Sequence, residues 1–318
     1  MAEHTRGWVD MSQTSSERGR VFPIVEIFGY PHDCATPEAV ASREGARCPF
    51  SAAPCEKQRQ YGFGYCSVTY SAAWDTHGQT YAVCDHRLDG RPTAWAVRDY
   101  FGDKPAFLVP EVAVTQKPRL NLDYVAYAND PHAPGGVQAI AIETQAIDLR
   151  GGGVRPAWDA WAAGEPELWR SYYSRDAHSK GRKDTVDYGI NTGNVYKRLG
   201  TQVAVKGEYL KQIEVPLYVV MQQKILQQLR SRIDFTPVSE SDKWDITFIG
   251  FDYDGTVHAD GQLAMPPTET VRTSLENYTQ AMTSNSGSVA LRDDFLAKVK
   301  RKAASQVRQR KSSEDPLF

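Results

Sequence analysis

The chain has 318 residues, of which 41% are hydrophobic and 24% charged, and its net charge is −2. This composition is typical of a folded protein and excludes an intrinsically disordered one. The sequence contains no apolar run long enough for a membrane helix and no apolar signal-peptide segment in its polar first 20 residues, so we expect a cytoplasmic protein with no membrane partner. The near-zero charge indicates no global affinity for nucleic acid, although a basic cleft can coexist with an acidic remainder.

In chain order, a flexible lead-in over residues 1–20 precedes a first core segment at 22–31 and a cysteine-rich stretch. Four of the five cysteines are crowded there, at Cys48, Cys55, Cys66 and Cys84. In a reducing cytoplasm clustered cysteines are more often metal ligands than disulfides. Four thiolates can close a tetrahedral structural site around zinc or iron. The short ligand spacing of zinc knuckles is absent, so buried free thiols remain the alternative, and Cys34 is expected to be a free thiol.

The clearest pattern in the second third of the chain is a β-hairpin. Residues 119–127 alternate as a strand, 129–136 form a turn cluster, and 137–148 form the second strand. The other predicted elements are a strand at 106–115, a helix with a break near Gly164 at 156–173, a charged loop at 176–192, a helix at 194–210, either one helix or a strand followed by a helix at 215–233, and a strand at 244–254.

Polar side chains interrupt both arms of this hairpin. Asp123 lies on the first arm, and Glu143 and Gln145 project from one side of the second, because residues two apart on a strand share a face. Apolar residues 139–142 predict a central strand, where polar groups are costly unless they are paired or bind an ion. One Asp and one Glu so placed can hold magnesium against a phosphodiester.

This layout is that of the PD-(D/E)XK nuclease motif with two departures. Asn121-Leu122-Asp123 replaces the Pro-Asp step, and Gln145 stands where lysine is usual. The alternative is that these are structural polar residues of a surface hairpin.

A second motif, GFDYDGTV at 250–257, matches the DxDGT signature of haloacid-dehalogenase-type phosphatases, which would act through Asp252 and Asp254. In that fold the signature comes first and its partners follow over about a hundred residues. Only about 60 residues remain here, so a strand that ends in an Asp-Gly turn is the preferred interpretation.

An ordered set of short segments is similar to one known protein family. The segments are EIFGY, CPF at Cys48, Cys-x-Lys at Cys55, Gly-x-Cys at Cys66, Val-Cys before Arg87 and Asp89, LNLDYV, IETQAID and NVYKR. Over roughly residues 22–255 the chain resembles the NotI family of Type II restriction endonucleases. The resemblance implies a mixed α/β (α+β) fold, with a PD-(D/E)XK core whose central mixed sheet is flanked by helices. It also implies a metal-stapled, loop-rich N-terminal region. The expected organisation is a tail at 1–20, a four-cysteine region at 21–100, a nuclease core at 101–285 and a polar, basic tail at 286–318.

The same resemblance implies roles for individual residues. The four clustered cysteines would hold one structural iron ion, where the spacing alone favours zinc. Asp123 and Glu143 would bind magnesium, Gln145 would occupy the lysine position, and Glu111 would assist at the metal. Asp148 also matches the family, without an assigned role. Gln202 would either support the site or be a surface glutamine of the following helix.

The implied activity is magnesium-dependent hydrolysis of double-stranded DNA at a GC-rich palindrome, leaving 5′-phosphate ends, by a homodimer in a bacterial cytoplasm. Candidate DNA-contacting residues are Arg150, Arg155, Arg175, Lys180, Arg182 and Lys183. The basic segment Lys298 to Lys311 is expected to be a disordered or phosphate-contacting end. The alternative in a different class is a metal-stapled DNA-binding module without catalysis.

Overall fold

The computed structural model describes residues 21–70, 79–117, 119–151, 153–183, 186, 188–191, 193, 195–239, 241–284 and 292–311. The chain divides into two compact units, Met1–Thr283 and Ser284–Phe318. All but one of the helices and all of the strands in the described residues belong to the first unit. In the second unit, residues 292–311 form one helix.

The strands of the described residues are β1 (Ile24–Ile27), β2 (Tyr30–Pro31), β3 (Tyr65–Tyr70), β4 (Gln79–Ala82), β5 (Phe107–Gln116), β6 (Arg119–Asn129), β7 (Val137–Gln145), β8 (Leu149–Gly151), β9 (Tyr188–Ile190), β10 (Leu217–Gln222), β11 (Ile246–Phe251) and β12 (Pro267–Thr273). The α-helices are α1 (Pro37–Glu44), α2 (Glu56–Tyr61), α3 (Gly90–Phe101), α4 (Arg155–Ala162), α5 (Trp169–Ser179), α6 (Gly200–Gln212), α7 (Gln223–Arg230), α8 (Leu275–Thr283) and α9 (Arg292–Lys311).

A six-stranded mixed sheet in the order β12-β11-β10-β7-β6-β5 organises the first unit. β5, β6 and β7 form an antiparallel meander, β10 lies parallel to both β7 and β11, and β12 is antiparallel to β11. The predicted hairpin and its central second strand are therefore confirmed, as is the mixed α/β class.

Helices cover both faces of this sheet because its inner strands are apolar on both sides. β10 (LYVVMQ) and β11 (ITFIGF) are buried along their whole length. Leu217 and Val219 join the core beneath α6, α7 and α8, whereas Tyr218 and Val220 join the opposite core, to which α3 contributes Ala96. The side chains thus alternate between two cores with the period of a strand.

The cysteine-rich region is more regular than the expected loops. β1 to β4 form an antiparallel sheet in the order β2-β1-β3-β4, and Ile24, Ile27 and Val68 contribute buried side chains to the main core. Two helices, α1 and α2, lie between β2 and β3 in the chain.

Three of the predicted segments differ from the structure or had been left with two alternatives. The segment at 215–233 is a strand followed by a helix, the second of the two alternatives. The loop predicted at 176–192 is wrong at both ends, because α5 continues to Ser179 and β9 pairs with β8. Asp176 and Lys180, one helical turn apart, form an ion pair at 2.6 Å that stabilises the end of α5. The basic segment expected to be a disordered or phosphate-contacting end forms helix α9, and residues 312–318 lie outside the described residues.

Candidate active site

The hairpin carboxylates lie in a cavity of about 1000 Å³. β5, β6 and β7 form one wall, α3 and the turn after Cys84 form a second, and α6 with the turn before it forms a third. Asp123, Glu143, Gln145 and Glu111 all line this cavity, so the four residues predicted to act together are brought together.

Asp123 and Glu143 lie side by side where β6 and β7 separate. The last regular pair of the two strands is Tyr124 with Ile142. Beyond it, Thr144 N–H donates to Asp123 Oδ2 at 2.9 Å, and Asp123 N–H donates to Glu143 Oε1 at 3.3 Å. Each carboxylate therefore replaces a ladder carbonyl as the acceptor for the opposite strand, which fixes the position of both before any ligand binds.

The electrostatic environment disfavours two ionised carboxylates here. Burial raises the pKa of Asp123 above its usual range. Burial, together with the charge of Asp123, raises the pKa of Glu143 to about 7. A group of opposite charge is thus needed between or beside them to stabilise the ionised pair.

Lys206 supplies part of that charge, a role that was not predicted from the sequence. It projects from α6 and its Nζ donates to Glu143 Oε2, in an ion pair whose two side chains are almost fully buried. Val203 and Leu210 on the same helix belong to the core. A lysine at this apolar helical spacing was the available signal, because a buried lysine is almost always paired.

Gln145 is tied to the end of its own strand rather than to the carboxylates. Its Nε2 donates to the carbonyl of Ala146 at 2.5 Å, and Ala146 N–H donates to Asp85 Oδ1 at 2.7 Å. Burial raises the pKa of Asp85. Asp85 follows Cys84 directly, so the cysteine-rich region contacts the end of β7 beside Gln145. No role was predicted for Asp85 from the sequence.

Glu111 lies on β5 across from Asp123, between the strand pairs Pro110–Tyr124 and Val112–Leu122. Its φ of 53° is in the left-handed region, which is uncommon for a non-glycine residue and costs on the order of 1 kcal/mol. Among the described residues, six carboxylates line the cavity, from Asp85, Asp89, Glu111, Asp123, Glu143 and Asp148, and Gln202 also lines it.

Five of the six predicted DNA-contacting residues lie outside this cavity. Arg155 pairs with Asp159 at 2.7 Å, and Lys180 and Arg182 both pair with Asp176. The guanidinium of Arg175 stacks over the Tyr172 ring, and Lys183 is exposed. None of these five is among the residues that line the cavity. Arg150 is in β8, and its side chain lies outside the described residues.

The four clustered cysteines are free thiols, and so is Cys34. Cys48 and Cys55 lie on one turn, closed by Cys48 N–H to Ala53 O at 2.8 Å, and Cys66 and Cys84 lie on neighbouring chain segments. Burial raises the pKa of Cys55, of Cys66 and, to about 11, of Cys84, and the charge of Cys48 adds to each increase. Cys55, Cys66 and Cys84 are therefore close enough to Cys48 to interact with it, and burial favours the protonated form of these three thiols.

Among the described residues, no group of three or more His, Cys, Asp or Glu side chains is arranged to hold a metal ion. The thiols have the chemistry of a soft-metal site but do not form a coordination shell. The hairpin needs fewer protein ligands to bind a metal ion, since magnesium is usually held by one or two carboxylates with waters and substrate phosphates. Asp123 and Glu143, with hard oxygen donors and raised pKa values, fit that donor set.

Both aspartates of the DxDGT-like segment make local contacts. Asp252 accepts from Gln222 Nε2 at 2.9 Å and pairs with Lys224, while Asp254 accepts from the hydroxyl of Thr256 in the turn that follows β11. Neither aspartate lines the cavity described above. The preferred interpretation, a strand ending in an Asp-Gly turn, agrees with this geometry.

Comparison with models of protein families and with curated proteins gives no match for this chain. Within the described part of the chain, no helix is long and apolar enough to cross a membrane.

Proposed function

We propose that the protein is a magnesium-dependent endonuclease of the Type II restriction class with a PD-(D/E)XK core. The observation that carries this proposal is the placement of Asp123 and Glu143, side by side at the edge where two central strands separate and open to a cavity. The mixed sheet with helices on both faces is compatible with that core. The proposal accounts for buried carboxylates that would otherwise only destabilise the fold.

Asp123 and Glu143 would hold magnesium, with Glu111 on the neighbouring strand within the same cavity. When bound, magnesium acts as a Lewis acid that activates water and neutralises charge on the phosphate. In the hydrolysis the water oxygen bonds to phosphorus, the bond from phosphorus to the 3′ oxygen breaks, and a proton from water ends on that 3′ oxygen. The products carry a 5′-phosphate and a 3′-hydroxyl.

The neutral Gln145 amide cannot supply positive charge. Its Nε2 donates to the Ala146 carbonyl, and its Oε1, for which the described residues provide no donor, can accept from a water molecule and orient it. Asp85 holds the same strand end through the Ala146 N–H. These contacts position the polar end of β7 at the cavity.

The four clustered thiols are proposed to hold one structural metal ion, iron by the family resemblance or zinc. A bound cation would stabilise the thiolates against the burial that raises the pKa values of Cys66 and Cys84. This site would do no chemistry. It would hold the chain from Cys48 to Asp85 in the geometry that places Asp85 against β7.

A duplex cut on both strands of a GC-rich palindrome needs two active sites related by a two-fold axis, so we propose a homodimer that acts on double-stranded DNA. The predicted DNA-contacting residues Arg155, Arg175, Lys180, Arg182 and Lys183 remain candidates for contacts outside the cavity, chiefly with phosphates.

The test is incubation of the purified protein with unmethylated GC-rich DNA, with magnesium and with a chelator, beside Asp123→Asn. Discrete fragments that require magnesium and disappear with the variant support the proposal, and sequencing of their ends gives the site. DNA that is bound but intact under all conditions would instead support the binding module without catalysis.

A further inference from the structure

The cavity is short of positive charge for the reaction proposed. Six carboxylates line it, whereas the lysine and arginine side chains that line it are Lys206 and Arg198 alone among the described residues. Hydrolysis of a phosphodiester adds negative charge to the phosphate, and the phosphate must enter beside those carboxylates. Lys206 and Arg198 therefore lie where an entering phosphate would need positive charge.

Arg198, Gln202 and Lys206 form one stripe, because they are spaced four residues apart. All three line the cavity. The stripe begins in a single turn of π-helix, Val195–Leu199, which runs directly into α6. Single turns of π-helix are rare in proteins, but those that occur are often found at functional sites.

We propose that this stripe is the phosphate-binding wall of the active site, with Lys206 the catalytic cation and Arg198 the residue that holds a neighbouring phosphate of the same strand. The proposal rests on the nuclease function above and adds two substrate-contacting residues to it.

Lys206 is suited to the reacting phosphate. An ammonium group has three donors, and the described contacts use one of them, to Glu143 Oε2. The others are available to a non-bridging oxygen of a phosphate that enters the cavity beside Glu143 and Asp123. Lys206 thus supplies, from a helix, the positive charge that Gln145 does not supply from the strand.

Arg198 is suited to binding rather than to the reaction. Its side chain is exposed, and within the described parts of the chain it has no ion-pair partner. Arg155, Lys180 and Arg182 are paired, by contrast. A planar guanidinium with five donors matches a phosphate in two-bond geometry. Gln202, between the two cations, can donate to the same strand through its amide.

The experiment compares Arg198→Gln, Lys206→Gln and Lys206→Arg with wild type, and uses Lys197→Gln as the matched control. Lys197 is an exposed cation of the same π turn that does not line the cavity. Steady-state cleavage gives kcat and KM, and circular dichroism checks folding. DNA affinity is measured over a range of salt concentrations in an Asp123→Asn background, which removes cleavage.

We expect Arg198→Gln to raise KM about tenfold and to reduce the salt slope of binding by about one, with kcat changed little. Lys206→Gln should lower kcat by about 10²–10³ with little change in KM, Lys206→Arg should recover part of that loss, and Lys197→Gln should match wild type. Arg198→Gln that behaves as the Lys197 control, or folded Lys206→Gln with wild-type kcat, would overturn the proposal.

The two proposals fail differently. Absence of cleavage by wild type removes the nuclease function, and the salt slope of DNA binding still decides whether Arg198 contacts phosphate. If Lys206→Gln does not fold, the variants Arg198→Gln and Lys206→Arg still test the proposed phosphate-binding stripe. An unchanged DNA affinity and salt slope for Arg198→Gln would contradict it.

Discussion

The main-chain N–H of Asp123 donates to the carboxylate of Glu143, while the carboxylate of Asp123 accepts from the chain just beyond Glu143. The hairpin thus uses its own backbone to hold two acidic groups together inside the fold. Burial raises the pKa of both even with Lys206 beside Glu143, so the arrangement costs stability when no metal ion is bound. Groups that are kept at a cost to stability are typical of functional sites.

Asp123→Asn should therefore make the metal-free protein more stable while it abolishes cleavage. The amide oxygen of asparagine can still accept from Thr144 N–H, and one of the two buried negative charges is removed. We expect a gain on the order of 1 kcal/mol, or about 2–4 °C in Tm, measured by thermal denaturation in chelator at pH 8. A lower Tm would show that the pair stabilises the fold by itself.

A double-mutant cycle on Lys206 and Glu143 should show strong coupling. Lys206→Met leaves two buried carboxylates without their cation and should cost about 3 kcal/mol in the free energy of unfolding. Glu143→Gln in the same chain should restore most of that loss, which corresponds to a coupling energy of at least about 1 kcal/mol. Denaturant unfolding of the four proteins gives the cycle, and additive losses would contradict a buried ion pair.

Much of the fold could be predicted from the sequence because periodicity marks it directly. The alternation in RLNLDYVAY and the apolar run before Glu143 predicted β6 and a central β7 correctly. The strand-or-helix ambiguity at 215–233 was real, since a short apolar run that is buried on both faces has no period. The helical end of α5 was missed because a charged segment reads as a loop, although its Asp176–Lys180 pair stabilises a helix.

The candidate site could be predicted only in part. Asp123, Glu143 and Gln145 share one hairpin, so local pattern brought them together. Lys206 and Asp85 reach the same cavity through long-range packing of α6 and of the turn after Cys84, which a pattern along the chain does not show. The arginines and lysines between residues 150 and 183 were predicted to contact DNA from their charge alone, and those whose side chains the structure describes lie outside the cavity.

The thiol cluster predicts a bound metal in the protein as purified from cells. We expect about one iron or zinc ion per chain by elemental analysis, as a four-thiolate site holds one ion. Cys48→Ser should lose the ion and lower Tm by about 5 °C or more, because the charge of Cys48 acts on the other three thiols. Cys34→Ser is the matched control and should keep the metal. A metal-free wild type with normal stability would favour the buried free thiols.

Acid should destabilise the protein partly through His32. Burial lowers its pKa more strongly than the charge of Asp33 raises it, and Arg43 lowers it further. As pH drops, the imidazole of His32 is therefore protonated near pH 6.5 in the unfolded chain but only at lower pH in the folded chain. The free energy of unfolding decreases as pH falls below 6.5, and the loss is complete below the pKa of His32 in the folded protein. His32→Gln should lose less stability than wild type between pH 7 and pH 5 in denaturant titrations. Parallel curves for the two proteins would contradict this.

Single-turnover cleavage as a function of magnesium concentration tests the proposed active site most directly. The substrate is a duplex that carries the mapped site, and the proteins are wild type, Asp123→Asn and Asp130→Asn. Asp130 lies past the far end of β6, at the turn of the same hairpin, so it controls for the loss of one carboxylate. We predict magnesium-dependent cleavage by wild type and Asp130→Asn, and a rate at least about 10³-fold lower for Asp123→Asn. Equal rates for all three proteins, or no cleavage by wild type at any magnesium concentration, would contradict the assignment of Asp123 and Glu143 as the magnesium site of a nuclease.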